Sequence, residues 1–254
     1  MKVQRILAPN PGPYTGEGTN TYVVASGGEV LVIDPGPVDE QHRAAILETL
    51  GDRTPVVVLV THTHSDHAPL ANSLARHLGV ATAGFGPGPR FKPDRTLSDN
   101  DVVPFGSAEV RVVATPGHSP DHLCYLAGDA LFTGDHIMGG SSVFVEDMSA
   151  YLASLRRLQE LSLRTLYPGH GAAMHDPQVV IADYLSHRLE REGQILAAVQ
   201  SGATSVATIV EDIYAQVDPE LRPLAGVAVR AHLTKLDDDR SVRFDVATDS
   251  VRPR

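Results

Sequence analysis

Three imidazoles and a carboxylate fall within six residues in Thr61-His62-Thr63-His64-Ser65-Asp66-His67. Neutral imidazole and carboxylate are the ligands that Zn²⁺, Fe²⁺ and Mn²⁺ share. The apolar run Val56-Val57-Val58-Leu59-Val60 comes directly before them, so four ligand side chains hang off the end of one strand. A His-rich surface loop would have the same composition, but such clusters rarely occur without a site. Three more candidates follow the same pattern. His118 lies in Thr115-Pro116-Gly117-His118-Ser119 after the apolar strand Val110 to Ala114. Asp135 follows Ala130-Leu131-Phe132-Thr133-Gly134, and His170 follows Thr165-Leu166-Tyr167-Pro168-Gly169. Each sits after a short β run and beside a glycine, which lets the backbone turn tightly and brings ligand and metal close. Four strand ends then converge on one site.

The elements that must hold these ends are legible in the pattern. Strands are expected near Thr21 to Ala25, Glu29 to Asp34 and Val56 to Thr61, with helices near Asp39 to Leu50 and Ala68 to Leu78. Between Ala81 and Asp135 the chain reads as strands separated by Gly, Pro and Asp-Asn turns. Asp147-Met148-Ser149 caps a helix carrying Tyr151, Leu152, Leu155, Leu158 and Leu161 at helical spacing. This alternation predicts a mixed α/β catalytic domain over residues 1–175. From Asp176 the character becomes helical. A helix from Pro177 to about Gln200 would bury Val180, Ile181, Tyr184, Leu185, Leu189, Ile195 and Leu196. Further helices at Ser205 to Ala215 and Glu220 to Leu236, then the alternating Arg240 to Ala247, form a winged-helix-like pattern over residues 176–254.

The order HxHxDH, TPGH, GD, PGH resembles the metallo-β-lactamase superfamily, with all seven motif positions filled between His62 and His170. The resemblance implies an α/β fold, an αββα sandwich of two mixed sheets with metals at one edge. It also implies two divalent metal ions, with zinc the expected identity: His62, His64 and His118 on one, Asp66, His67 and His170 on the other, Asp135 bridging both. The tail narrows this. Tyr184-Leu185-Ser186-His187-Arg188, Arg191-Glu192, Gln194-Ile195-Leu196 and the small helical domain resemble the lactamase beta 2 branch, as do Gly18-Thr19-Asn20-Thr21-Tyr22, Tyr151 and Ser154-Leu155. One departure is Gly139-Gly140-Ser141, where that branch often has Gly-His-Gly.

The chemistry implied is hydrolysis at a carbonyl or phosphorus centre by a metal-bridging hydroxide, formed as the pKa of water falls from ~15.7 toward neutrality. Asp66 is the candidate catalytic residue beside that hydroxide. His122 reads as support for a ligand rather than a reacting group. His187 and Arg188 are candidates for substrate contact, with His175 a weaker one. His42, His77 and His232 fall on helices and read as packed or solvated.

Composition bounds the function. A chain of 254 residues at 27.1 kDa holds one large domain and a small appendage. Its single cysteine, Cys124, excludes an intramolecular disulfide, suits a reducing cytoplasm and reads as buried packing. Met1 to Pro13 does not read as a signal peptide, and no run approaches the ~20 apolar residues that span a bilayer. A cytoplasmic enzyme without membrane partners is expected, which argues against a secreted antibiotic-destroying lactamase. The branch resemblance implies an endoribonuclease acting on single-stranded RNA, with Arg188, Arg191, Arg222, Arg230, Lys235, Arg240 and Arg243 available for phosphates. A formal net charge of −10 and the absence of Trp weaken that reading. The alternative is a small-molecule thioester or lactone hydrolase, glyoxalase II-like or acyl-carrier thioesterase-like. Glyoxalase II itself fits less well, because His136-Ile137-Met138-Gly139 replaces its cysteine- and arginine-containing segment. β-CASP ribonucleases need a long insert, and only 34 residues separate Asp135 from His170. A metal-free binding module is disfavoured by the intact ligand set, and self-association is left open.

Overall fold

The computed structural model describes residues 1–139, 143–218, 220 and 222–254. The chain divides into two compact units. The first contains Met1–Pro116, Asp121–Val143 and Leu161–Gln178, and the second Gly117–Pro120, Phe144–Glu160 and Val179–Arg254.

The first unit holds two sheets. One is built from β1 (Lys2–Leu7), β2 (Asn20–Ser26), β3 (Glu29–Ile33), β4 (Thr54–Leu59), β5 (Ala81–Gly84) and β6 (Arg95–Thr96), adjacent in that order. β1, β2 and β3 pair antiparallel, while β4, β5 and β6 join in parallel. The β3–β4 and β4–β5 steps follow from helical crossovers through α1 (Glu40–Leu50) and α2 (Ala71–Leu78), while β5 reaches β6 through a loop. The other sheet runs β11 (Thr165–Pro168), β10 (Ala130–Gly134), β9 (Leu123–Ala127), β8 (Ala108–Ala114), β7 (Val102–Phe105). Only β10 and β11 pair in parallel there.

Alternation along β2, β3 and β4 divides their side chains between two cores. Tyr22, Val24, Leu31, Ile33, Val57 and Leu59 meet Val110, Val112, Leu123, Tyr125 and Phe132 of the facing sheet. Val23, Val30, Val32, Val58 and Val60 meet Ile46 and Leu50 of α1 and Leu70, Leu74 and Ala75 around α2. A strand covered on both faces has no polar side, which is why residues 56–60 read as an unbroken apolar run.

The second unit contains α3 (Met148–Gln159), most of α4 (Pro177–Gln200), α5 (Val206–Ile213), α6 (Arg222–Asp238) and the hairpin β12 (Val242–Asp245) with β13 (Ser250–Pro253). Asp147 caps α3 through Ala150 N at 2.9 Å, and Ser205 with Thr208 forms a capping box on α5. Such caps contribute about 1 kcal/mol each. Ile195, Val199, Ile209, Val229, Leu233, Leu236, Val242 and Val251 form the core under the hairpin. Among the described residues, no helix is long and apolar enough to cross a membrane.

The structure adds two strands that the sequence reading does not name, β1 and β13, and corrects two expectations. α2 begins at Ala71 rather than Ala68, since residues 65–70 form turns whose Leu70 N–H donates to Gly36 O at 3.1 Å. On α4, Ile181, Leu185 and Ile195 are buried as expected, but Leu189 is 46% exposed and Arg188 only 5%. Arg188 takes the inward position because its guanidinium lies over the Tyr151 ring, 5.4 Å from the centroid. Of the Gly139-Gly140-Ser141 departure, Gly140 and Ser141 lie outside the described residues.

Candidate metal centre

The segment after β4 is anchored by a residue that no sequence motif singles out. Asp34, at the end of β3, accepts hydrogen bonds from Thr61 N and Thr61 Oγ1, both at 2.7 Å, and from His67 Nδ1 at 2.9 Å. It sits at φ 49°, a left-handed conformation that costs a non-glycine residue about 1–2 kcal/mol. Three hydrogen bonds to one buried carboxylate hold it there. The available signal is an acid closing an apolar strand and followed by Pro35-Gly36.

His62, His67, His118 and His170 are each held by one ring nitrogen and present the other. His67 gives Nδ1–H to Asp34, so Nε2 faces inward, buried and without a hydrogen-bond partner, 3.3 Å from Asp66 Oδ2 and 3.4 Å from Asp135 Oδ1. His170 Nδ1–H donates to Gly18 O at 3.1 Å, leaving Nε2 3.2 Å from Asp66 Oδ2 and 3.3 Å from Asp135 Oδ1. Thr61 Oγ1 spends its proton on Asp34, so His62 Nδ1–H donates to it at 3.0 Å and His62 Nε2 points into the site. That atom faces His64 Nδ1 at 2.9 Å and Asp135 Oδ2 at 4.0 Å. His118 Nδ1–H donates to Phe144 O at 2.8 Å. Fixing the far nitrogen in this way is how proteins orient imidazole ligands.

The resulting donors form two groups, within each of which the ligand atoms lie within 4.8 Å of one another: His62, His64, His118 and Asp135, then Asp66, His67 and His170. Asp135 faces both, one oxygen toward His62 and the other toward His67 and His170. Close approach requires glycine beside it. A Cβ on Gly169 would lie 2.4 Å from Asp135 Oδ1, and one on Gly134, at φ 47°, 2.7 Å from His122 Nε2.

Electrostatics point the same way. Burial would raise the Asp66 carboxyl, yet the charge of the adjacent His67 and the neighbouring His170 imidazole hold it well below the carboxylate range. Asp135 is lowered likewise, against its burial, by His67 and His170. Burial would lower both imidazoles, but Asp66, Asp135 and Asp34 pull His67 up, and Asp135 and Asp66 carry His170 to about 9. The donor set fits a divalent cation: buried imidazole nitrogens and carboxylate oxygens converge, and the inward nitrogen of His67 has no hydrogen-bond partner.

A family model described as the metallo-beta-lactamase superfamily matches residues 14–170. The chain belongs to the metallo-beta-lactamase superfamily. It is a hydrolase of that superfamily, with the α/β sandwich expected from the motifs. A second model, the beta-lactamase associated winged helix domain, matches residues 205–248, in agreement with the resemblance seen in the tail. The chain is 32% identical over 259 residues to an Atrochrysone carboxyl ACP thioesterase of Aspergillus chevalieri, covering 96% of this chain and 84% of that one. With a protein of the same description from Aspergillus novofumigatus the identity is 35% over 268 residues, covering 96% and 81%. A metallo-beta-lactamase family protein of Thermus thermophilus superposes with a TM-score of 0.81 at 20% identity, covering 99% of this chain and 98% of that one. A beta-lactamase domain protein of Burkholderia ambifaria gives 0.84 at 22%, covering 99% and 91%. At these identities the two structures show the superfamily fold alone.

The remaining candidates are placed as follows. His122 is buried, accepts from Asp135 N at 3.2 Å and meets Thr115 Oγ1 at 2.9 Å, a supporting position beside a ligand of the superfamily motif. His42 is packed, its Nε2 2.8 Å from Thr21 Oγ1, which itself donates to Asp34 O. His232 and Cys124 are buried, and His77, His175 and His187 are exposed.

Proposed function

We propose that this chain is a metal-dependent thioesterase that hydrolyses an acyl thioester presented on a carrier protein, rather than an endonuclease for single-stranded RNA. The carrying observation is that relatives described as Atrochrysone carboxyl ACP thioesterase align over 96% of the chain. A thioester or lactone on a small thiol is the neighbouring possibility. The net charge of −10 also favours an acyl substrate over a polyphosphate chain.

In this reading residues 1–175 form the catalytic domain and 176–254 the winged-helix-like domain. His62, His64 and His118 would hold one divalent ion, Asp66, His67 and His170 a second, and Asp135 would serve both, with zinc the proposed identity. Bound there, the ions would acidify water near neutral pH and polarise the carbonyl oxygen. The chain supplies the geometry. Asp34 and Gly18 O fix the rings of His67 and His170, and Thr19 Oγ1 donates to Asp66 Oδ2 at 3.1 Å. Asp66, held ionised and only half-buried, is placed to accept a hydrogen bond from the attacking water and orient it. The departing thiolate is a far weaker base than an alkoxide and leaves without the strong protonation an alkoxide needs. His187, exposed, and Arg188, stacked on Tyr151, are the proposed substrate contacts. A reducing compartment such as the cytoplasm suits the single buried Cys124.

The test is hydrolysis of an acyl thioester on a carrier protein, S-lactoylglutathione and a fluorescent single-stranded RNA by metal-replete protein and by Asp66→Ala. Carrier-thioester turnover that disappears in the variant is the expected result. RNA cleavage without thioester turnover would overturn the reading.

A further inference from the structure

One stretch of the first unit has a charge opposite to the chain as a whole. From residue 76 to 95 the cations Arg76, Arg90, Lys92 and Arg95 stand against Asp94 alone, in a chain of net charge −10. Asp94 is itself exposed and accepts from Thr82 N at 2.8 Å and Thr82 Oγ1 at 2.9 Å, so its carboxylate is tied to β5 and offsets only one of the four positive charges. None of the four cations has an ion pair among the described residues, and Arg90 and Lys92 are exposed.

The stretch is fastened to the metal-ligand segment. A Cβ on Gly88 would lie 2.4 Å from Thr63 Oγ1, and Thr63 stands between His62 and His64. Two hydrogen bonds between Gly88 and Phe91, at 2.9 and 3.1 Å, close a turn with Pro89 and Arg90 at its corners. Arg90 occupies the third position at φ 62°, which glycine normally takes. Phe91 is buried beneath the turn against Gly84, and Asn72 holds Lys92 through N at 3.0 Å and O at 2.7 Å. The turn therefore presents Arg90 and Lys92 outward from a fixed base. Phe85, 51% exposed, adds an aromatic face on the same loop.

We infer that this loop is the docking surface for the carrier protein that presents the thioester. The inference rests on the thioesterase reading. A carrier protein is an acidic helical partner whose acyl group travels on a phosphopantetheine arm, so it needs cations to seat it beside the catalytic edge. The exposed Arg90 and Lys92, with Arg76 and Arg95, match that charge, and Phe85 offers apolar contact. Charge complementarity of this kind acts mainly on association and is screened by salt.

The experiment compares one aromatic acyl group carried on a phosphopantetheinylated acyl carrier protein and on N-acetylcysteamine, using full-length metal-replete protein. Arg90→Glu with Lys92→Glu should lower kcat/KM for the carrier-bound thioester by about tenfold or more while leaving the N-acetylcysteamine thioester within about twofold. The wild-type value on the carrier should fall with added salt, and the variant should lose that dependence. Arg90→Gly removes one charge at a backbone position glycine prefers, so it guards against misfolding and should give a smaller drop of the same kind. Equal rates for wild type and both variants on the carrier would overturn the docking surface while leaving the thioesterase intact. A charge-reversed variant that loses cleavage of single-stranded RNA and keeps carrier turnover would reassign the loop to nucleic acid. Failure of the wild type on both thioesters would remove the function reading and this proposal with it.

Discussion

Two buried sites that contain histidine have opposite charge balance in this chain. Around His67 and His170 stand Asp34, Asp66 and Asp135, and among the described residues no lysine or arginine is ion-paired with Asp34 or Asp66. Around His232 stand Glu192, 3.6 Å away, and Lys235, whose Nζ is 2.9 Å from Glu192 and 2.6 Å from Asp239. Arg188 adds a further positive charge near that ring. The first cluster carries an excess of carboxylate and needs cations; the second already contains them. Burial accordingly leaves His232 lowered, while the carboxylates raise His67 and His170 in spite of their own burial. What separates the two sites is the local surplus of negative donors around the motif histidines.

The largest expected effect tests that contrast directly. Asp135→Ala should drop bound metal below two per chain after dialysis and remove thioester turnover, by more than the ~10–100-fold typical of losing an outer hydrogen-bond partner. Glu192→Gln, which also deletes a carboxylate beside a buried histidine, should leave metal content unchanged. Elemental analysis of the two purified variants measures both. Two tightly held ions in Asp135→Ala would break the ligand assignment.

Asp34 sharpens the comparison one layer out. Asp34→Asn keeps an acceptor for Thr61 and tolerates the left-handed backbone, but it removes the charge facing His67 Nδ1. Metal affinity should fall about 10–100-fold with little change in fold, read from competition with a chromogenic chelator. Unchanged affinity would mean that His67 needs no such partner to present Nε2.

Asp34 also shows where the sequence stops being legible. The ligand motifs can be read because their chemistry is local: a donor, a glycine and a strand end lie within a few residues of one another. The role of Asp34 depends on β3 lying beside β4, a pairing between residues 27 positions apart that no local pattern records. β1 escapes notice for a similar reason, since a half-exposed edge strand needs little alternation. α4 is readable to its ends because Pro177 starts it and its apolar spacing persists to Gln200. The same spacing misplaces Leu189, because a buried guanidinium stacked on Tyr151 is invisible to a hydrophobic count.

The second cluster has its own pH signature. Burial first, then Arg188, lowers His232 below 6.5 against the pull of Glu192, so the unfolded chain binds more protons as pH falls through that value. Its contribution is complete above 6.5 and declines as pH drops toward the folded value. Glu192 adds a loss in the same direction below 4.5, because despite burial His232 and Lys235 hold it down. Denaturant midpoints for His232→Gln should therefore fall less between about pH 7 and pH 5 than those of the wild type. An identical slope would show that His232 titrates as it does in the unfolded chain.

The smallest effect concerns the neighbours on α4. Leu189 is exposed, so Leu189→Gln should change stability by no more than about 0.5 kcal/mol. Arg188→Met keeps length and apolar bulk but loses the cation over Tyr151, a contact worth about 2 kcal/mol when desolvated. Thermal denaturation should therefore separate the two variants, with Arg188→Met the less stable. The opposite order would mean that Leu189 contributes buried surface and that the apolar spacing of α4, rather than the ring beneath Arg188, decides which face of the helix turns inward.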